Sequence, residues 1–383
     1  MNIQSDFLRN MEDTSLGYLL FNNGIYNFNT MTFTKGFNPA IMFHYRVEYD
    51  YEELTGEEIE YAADIKKRYL FDTLNDSADY FACGITEALS GAAVKKCYFG
   101  IGNADNGKTI LVKMIRSVFG DYVAQFNGEN LAQKPNENAD TAALYRWVLL
   151  LRYKRIIISN EINSKFPLDG NRVKKVVAGG DSLVARTHCQ EEIEFLPHFQ
   201  PFLLVNDLPK IEPYDAAIDT RARYIPFRTT FVDENPDPSI RRLLKNLDAK
   251  KEILTPKFRK CMLHVFFDAY KNKAINFIDP PSVAECKRNW SPESTDPIVQ
   301  LGDLCDVTDN ADDFISTKDL DHFLKMLDVS ANKFKSIVSD RQAVSQFTNI
   351  INKVKKIGGS SIRGWTGIRK RKNEKELERE RLR

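Results

Sequence analysis

Hydrophobic residues in the first third of the chain recur with two different spacings. Apolar residues at 19–21 and 25–28 flank Asn22-Asn23-Gly24, and an Asn-Gly pair between two such runs predicts a β-hairpin. From about 57 to 90 the apolar spacing becomes helical and predicts two amphipathic helices. We therefore expect short strands followed by helices over residues 1–92.

Between 96 and 232, apolar runs alternate with helical segments. The runs lie at 97–99, 155–159, 202–205 and 224–227, and each ends at a polar residue or turn, as buried parallel strands do. This alternation predicts a parallel α/β core, which we bound at 93–235. A helical lid and linker is expected over 236–300.

The sequence pattern over residues 301–372 predicts a small separate unit. Helices are expected at 317–327, where Ser316 is a good N-cap, and at 332–338 and 346–356. A hairpin is expected over 361–369, with Arg363 and Trp365 near its tip. Three helices and a basic hairpin indicate a winged-helix-like domain, followed by a charged tail at 373–383.

The formal net charge of +1 conceals an uneven distribution of charge. Residues 1–90 carry 15 acidic and 6 basic residues, whereas 350–383 carry 12 basic and 4 acidic ones. A polyanion is therefore expected to meet the rear of the chain.

Other sequence features exclude several classes of protein. No apolar run of about 18 residues predicts a membrane span, and no basic segment followed by an apolar core predicts a secretory signal. The six cysteines form no C-x-x-C pair, which argues against a zinc ribbon and favours reduced thiols of a cytosolic or nuclear protein.

Residues 102–109 match the pattern G-x-x-x-x-G-K-S/T between a predicted strand and a predicted helix. This phosphate loop consists of Gly102, Asn103, Ala104, Asp105, Asn106, Gly107, Lys108 and Thr109. Its glycines let backbone N–H groups wrap phosphates, and the helix N-terminus adds partial positive charge. Lys108 is expected to neutralise the β- and γ-phosphates of ATP, and the Thr109 hydroxyl to hold Mg²⁺.

Polar residues also follow the later strands. Glu161 is the candidate base that polarises an attacking water and assists Mg²⁺ coordination. Asn206 could hold that water, or it could form an Asx turn. Arg221 and Arg223 could reach the nucleotide of a neighbouring subunit, and surface arginines are the alternative.

These elements, in this order and spacing, resemble the superfamily 3 helicases, in particular the helicase part of the primase-helicases of poxviruses, other large DNA viruses and phages. Residues 174–186, which include Gly179-Gly180-Asp181 and end at Ala185-Arg186, make the resemblance specific. The chain departs from the family pattern in a phosphate loop two residues longer, in Asn160 where an acid can stand, and in Thr220 where the first of two adjacent arginines would stand.

The resemblance implies an AAA+-like P-loop ATPase core that forms a ring, usually a hexamer, with active sites between subunits. A hairpin over 184–195 would grip DNA in the central channel, and the acidic 1–92 region would serve as a collar. The implied DNA-binding residues near this hairpin are Lys174, Lys175, Arg186, Thr187 and His188, and those of the rear unit are Arg363, Trp365 and Arg369. His188 could instead be an exposed loop histidine, and Trp365 could belong to a small core.

The implied function is that of an ATP-dependent replicative DNA helicase that translocates on single-stranded DNA and unwinds duplexes. A DNA loader, packaging motor or remodeller without strand separation is the first alternative, and a non-catalytic assembly module is the second. Expected partners are single-stranded and forked DNA, further copies of the chain, and a primase domain or protein. The resemblance also implies a viral or phage protein at a cytoplasmic or nuclear replication site of a host cell.

Overall fold

The computed structural model describes residues 11, 13–92, 94–133, 140–160, 162, 167–177, 179–187, 191–290, 297–327, 329–343 and 348–371. Contacts divide the chain into two compact units, Met1–Lys287 and Arg288–Arg383. Each unit has a hydrophobic cluster of its own. The finer division into five segments stays a prediction.

The first unit contains both strands and helices. Its strands are β1 (Tyr18–Phe21), β2 (Gly24–Asn27), β3 (Thr32–Lys35), β4 (Cys97–Ile101), β5 (Val123–Phe126), β6 (Ile156–Asn160), β7 (Leu168–Asp169), β8 (Leu183–Ala185), β9 (Ile193–Phe195), β10 (Gln200–Val205), β11 (Ile211–Glu212), β12 (Ala222–Pro226), β13 (Thr230–Val232) and β14 (Arg242–Leu244). Its helices are α1 (Gly56–Ile65), α2 (Ala78–Ser90), α3 (Lys108–Phe119), α4 (Thr141–Leu144), α5 (Arg146–Leu149), α6 (Gly170–Val176), α7 (Ala216–Arg221), α8 (Ala249–Glu252), α9 (Pro256–Lys271) and α10 (Lys273–Asn276), and α11 (Pro281–Trp290) follows.

A five-stranded parallel sheet in the order β12-β4-β10-β6-β5 forms the centre of the first unit. The apolar runs of the sequence predict four of these strands, and the parallel α/β core is confirmed. The sequence does not predict the fifth strand, β5, because it is an edge strand with half-exposed positions and no continuous apolar run. The carboxyl ends of all five strands meet at one edge, where open α/β sheets bind ligands.

The region before residue 92 packs into the same core as the parallel sheet. The predicted hairpin is present as β1 and β2, and β3 extends it to a three-stranded antiparallel sheet. The rings of Tyr26 and Phe267 lie 4.3 Å apart, and the buried Thr86 hydroxyl in α2 donates to the carbonyl of Phe266 in α9 at 2.9 Å. The role of this region as a collar stays a prediction.

The second unit combines helices with antiparallel strands. It contains α12 (Pro297–Leu304), α13 (Thr317–Met326), α14 (Ala331–Ala343), β15 (Cys305–Val307), β16 (Phe314–Ser316), β17 (Asn352–Ile357), β18 (Ser360–Thr366) and β19 (Ile368–Lys370). The first two predicted helices are confirmed, and Ser316 caps α13 by accepting the Asp319 N–H at 3.1 Å. The helix predicted at 346–356 is wrong, because residues 352–357 pair as a strand with β18. The tip of this hairpin is Gly358-Gly359 rather than Arg363 and Trp365.

Two further findings concern membranes and thiols. Among the described residues, no helix is long and apolar enough to cross a membrane. The cysteines that the structure describes are free and buried, namely Cys83, Cys97, Cys261, Cys286 and Cys305. Burial raises the pKa of the thiols of Cys83, Cys97, Cys261 and Cys305, that of Cys305 to about 11, so these four are poor nucleophiles.

Candidate functional site

The phosphate loop lies between β4 and α3 at the carboxyl edge of the parallel sheet. The N–H of Gly102 donates to the carbonyl of Val205 in β10 at 3.2 Å. A Cβ at Gly102 would lie 2.3 Å from Asn106 Nδ2 and 2.5 Å from the Phe227 carbonyl oxygen, so only glycine fits. Gly107 has a φ of +84° and precedes the first turn of α3. This tight turn before a helix N-terminus fits the polyphosphate of a nucleotide.

Lys108 meets the end of the neighbouring strand β10. Its Nζ donates to Asn206 Oδ1 at 3.1 Å, to the Val205 carbonyl at 3.3 Å, to the Asn103 carbonyl at 3.2 Å and to the Gly102 carbonyl. Because β4 and β10 are adjacent and parallel, their carboxyl ends converge. The structure thus brings together Lys108 and Asn206, which lie 98 positions apart in sequence.

A short pair of strands, β13 and β14, braces the loop from the other side. The N–H of Phe231 donates to the Asp105 carbonyl at 2.7 Å. Lys245 Nζ lies 3.4 Å from Asp105 Oδ1 and 3.0 Å from Asp233 Oδ2. The hydrogen bond to Asp233 and the pair with Asp105 raise the pKa of Lys245. Sequence reasoning missed Lys245, which carries no local signal that links it to the phosphate loop.

The candidate metal ligands are only partly described. Thr109 lies exposed in the first turn of α3, and Glu161 lies outside the described residues. Asn160 closes β6, where its backbone pairs with Leu204 of β10. Where the structure describes the chain, no group of three or more His, Cys, Asp or Glu residues could hold a metal ion. Thr109 nevertheless fits Mg²⁺, which commonly takes few protein ligands and completes its shell with phosphates and water.

The two candidate finger arginines are held by backbone carbonyls of their own region. Arg221, at the end of α7, donates to the carbonyls of Ala217 at 2.8 Å and Val177 at 3.4 Å. Arg223, in β12, donates to the carbonyls of Thr220 at 2.9 Å and Ala222 at 2.8 Å. Both side chains are half-buried, and their role stays a prediction.

Two antiparallel strands occupy the segment predicted as the DNA-gripping hairpin. Leu183 pairs with Phe195 and Ala185 with Ile193. The Arg186 side chain forms an ion pair with Asp140, which lowers the pKa of that carboxyl group. Thr187 is exposed, and His188 lies outside the described residues.

The upstream lysines occupy α6. Lys174 Nζ lies 2.6 Å from Asp215 Oδ2, and this contact contributes most to the lowered pKa of Asp215. The exposed Lys175 places its Nζ 4.9 Å from the centre of the Tyr145 ring. A nucleic acid that bound Lys174 would therefore compete with a carboxylate.

The candidate DNA contacts of the second unit differ in exposure. Arg363 is exposed in β18, opposite Val354 of β17. Trp365 is 6% exposed and packs against Phe334 at 5.2 Å, so its ring belongs to the core and not to the surface. Arg369 is held by two carboxylates, Asp306 at 3.1 Å and Asp313 at 3.4 Å. Of these three side chains, that of Arg363 is exposed, that of Arg369 is half-buried and that of Trp365 is buried.

The parallel sheet and the loop between β4 and α3 define a mixed α/β architecture with a parallel central sheet. The chain is homologous to viral proteins that carry the name "Putative helicase". It is 35% identical over 377 residues to V13 of Sputnik virophage, covering 96% of this chain and 46% of V13. It is 26% identical over 236 residues to L207/L206 of Acanthamoeba polyphaga mimivirus, covering 59% of this chain and 23% of that protein.

Comparison with family models and solved structures adds two findings. No family model matches the chain. Among solved structures, the NrS-1 C-terminal region is similar at a TM-score of 0.43 and 15% identity, covering 82% of this chain and 76% of that one. A JCV helicase is similar at a TM-score of 0.35 and 15% identity, covering 63% and 61% respectively. The chain spans less than half the length of the viral relatives described above.

Proposed function

We propose that this chain is the motor part of an ATP-dependent DNA helicase of superfamily 3 that acts in replication. The observation that carries the proposal is the convergence of Lys108 and Asn206 at the carboxyl edge of a parallel sheet, in a chain homologous to viral proteins named as helicases. A lysine and a polar amide at this position suit the binding and hydrolysis of a nucleoside triphosphate.

The residues of the site divide the chemistry among them. Backbone N–H groups of the phosphate loop bind the polyphosphate, and Lys108 exchanges its carbonyl contacts for phosphate oxygens. Thr109 and Glu161 would hold Mg²⁺, which when bound neutralises charge on the phosphate oxygens. Glu161 accepts a proton from the attacking water, and Asn206 orients that water.

Assembly and DNA binding complete the proposal. The chain forms a ring, with six copies as the expected number, in which Arg221 or Arg223 reaches the nucleotide of a neighbour. The segment 183–195 and the cations of α6 contact single-stranded DNA through its phosphates, and the second unit contacts forked DNA. A primase domain or protein is a proposed partner, and a replication site in the cytoplasm or nucleus of an infected cell is the proposed location.

Unwinding of a forked duplex tests this function directly. The wild-type chain should hydrolyse ATP in response to single-stranded DNA and displace one strand of the fork. Lys108→Ala should abolish both activities by removing the cation that contacts the phosphates, and Glu161→Gln should retain ATP binding but lose hydrolysis. DNA-stimulated hydrolysis without strand displacement on either polarity of tail would contradict the helicase function and support a loader, packaging motor or remodeller.

A further inference from the structure

The β17–β18 hairpin extends beyond the core of the second unit. Gly364, Trp365 and Thr366 of β18 are buried, whereas Ser360, Ser361 and Arg363 of the same strand are exposed. The residues of β17 are all exposed except the half-buried Lys355. We call residues 352–363 the projecting hairpin. The face that carries Val354, Lys356, Ser361 and Arg363 is exposed, whereas Lys355 and Ile362 on the other face are half-buried.

Two apolar side chains on the projecting hairpin are largely exposed to solvent and therefore contribute little to the hydrophobic core. Val354 is 57% exposed, and Ile357, directly beside the Gly358-Gly359 turn, is 46% exposed. Ile351, just before the hairpin, is 49% exposed. Because side chains alternate along a strand, Val354 and Ile357 lie on opposite faces, and each face of the hairpin therefore presents one exposed apolar side chain.

Cations surround these apolar residues. Val354 lies opposite Arg363, and the next residue pair toward the tip on the same face is Lys356 with Ser361. Lys353 and Lys356 are also exposed. The sequence has no Asp or Glu between Asp340 and Glu374, so no nearby acid along the chain offsets this charge.

A nucleic acid junction matches this combination of groups. Phosphates attract the cations, and the two bases of the last pair of a duplex offer apolar faces to Val354 and Ile357 on the two sides of the hairpin. Apolar side chains of nucleic-acid-binding proteins insert between bases and unstack them, and a two-stranded β-ribbon is narrow enough to enter a groove of DNA. Anionic membranes offer charge but no stacked bases.

We propose that the projecting hairpin is a strand-separating wedge, with Val354 on one face and Ile357 on the other against the two bases of the terminal pair of a fork, and Lys353, Lys356 and Arg363 on its phosphates. The proposal rests on the proposed helicase function and adds to it the element that splits the duplex. ATP hydrolysis in the first unit and strand separation by this hairpin are then separable properties.

The test uses the full chain with the double substitution Val354→Ser and Ile357→Ser. The two side chains are exposed, so the variant should keep the melting temperature of the wild type. DNA-stimulated ATP hydrolysis should stay within about twofold, while the rate of fork unwinding should fall about tenfold because the terminal base pair is no longer displaced. Leu247→Ser, a matched apolar-to-polar change at an 84% exposed position of the first unit, should change neither rate.

A second measurement detects the wedge without unwinding. A fork with 2-aminopurine at its terminal base pair should gain fluorescence when the wild-type chain binds without ATP, and the double serine variant should bind but give no gain. Lys353→Gln with Lys356→Gln should lower fork affinity and reduce the slope of log affinity against log salt by about 2. Anionic vesicles of phosphatidylserine should not compete with the fork.

The outcomes separate this proposal from the helicase function. Wild-type unwinding speed in the double serine variant, or an unchanged 2-aminopurine signal on wild-type binding, would overturn the wedge and leave the helicase function standing. Tighter binding to the vesicles than to the fork would overturn it in favour of a membrane surface. A wild-type chain that gives the 2-aminopurine signal but never unwinds would instead contradict the helicase function and support the wedge contact.

Discussion

At the scale of single residues, Lys245 is the contact that connects the end of β14 to the phosphate loop. Its ammonium lies 3.4 Å from the carboxylate of Asp105, which has a φ of +56° within the loop. A carboxylate among groups that bind a polyphosphate repels it, and a neighbouring lysine offsets that repulsion. We therefore expect Lys245 to act as a positioning residue for nucleotide binding, through Asp105.

Lys245→Ala should weaken ATP binding a few fold, because the carboxylate of Asp105 then repels the polyphosphate without a neighbouring cation to offset it. Isothermal titration with a non-hydrolysable ATP analogue measures the effect. In an Asp105→Asn background the same substitution should have little further effect, since the repelling charge is gone. An undiminished effect in that background would contradict a role through Asp105. Lys251→Ala, at an 88% exposed side chain, is the matched control.

Glu252 in α8 is a second residue that forms hydrogen bonds with side chains far from it in sequence. It accepts hydrogen bonds from Arg68 at 2.7 and 2.8 Å, from Tyr69 at 2.6 Å and from Tyr61 at 2.8 Å. These bonds, that of Arg68 first, lower the pKa of Glu252 from 4.5 to about 2. Because the folded-state pKa is the lower one, the stabilisation is complete above about pH 4.5 and is lost as the pH falls toward 2.

Glu252→Gln should lower the free energy of unfolding of the first unit by about 2 kcal/mol at pH 7, through the loss of charged hydrogen bonds. At pH 3 the difference from the wild type should be smaller, because the wild-type carboxylate has begun to lose its advantage. Urea unfolding at the two pH values measures both differences. An equal difference at pH 3 and pH 7 would show that the charge of Glu252 is not responsible. Glu234→Gln, at an exposed position, should have no effect.

At the scale of elements, the sequence predicts those structures that depend only on residues close together in the chain. The phosphate loop between β4 and α3 is such a case, because glycine positions, Lys108 and the following helix are all local. The strand β17 is the opposite case. Its lysines and isolated apolar residues resemble a polar helix, and only pairing with β18 makes it a strand. Trp365 and Lys245 also depend on distant partners, which explains why sequence alone leaves their surroundings open.

The N-cap of α13 is a local element whose contribution can be measured in the second unit. The Ser316 hydroxyl accepts the N–H of Asp319 at 3.1 Å and donates to its carboxylate at 2.7 Å. Ser316→Ala should destabilise this unit by about 1 kcal/mol, since an orphan N–H of the first turn loses its acceptor. Thermal unfolding followed by circular dichroism measures the change. Ser361→Ala, at an exposed strand position, should leave the transition unchanged, and an equal shift in both variants would contradict the cap.

At the scale of the whole molecule, the near-zero net charge is the sum of an acidic front and a basic rear, and the fold places the two in different elements. The acidic region before residue 90 contributes side chains to the core of the first unit, and four of the twelve basic residues at 350–383 lie on the projecting hairpin. Removing residues 1–90 would expose the partners of α2, whose side chains are almost all buried. Single substitutions therefore test assembly better than deletion does, because they leave the core intact.

Subunit mixing tests whether a finger arginine acts across an interface. Arg223→Ala and Lys108→Ala chains should each be inactive alone, with hydrolysis reduced about 10³-fold by loss of the arginine. In a 1:1 mixture, about a quarter of the interfaces join an intact phosphate loop to an intact arginine, so ATP hydrolysis should return. The same experiment with Arg221→Ala decides which arginine is the finger. If neither mixture regains activity while an affinity tag on one variant pulls down the other in mixed rings, the arginines act within their own subunit and the shared active site is wrong.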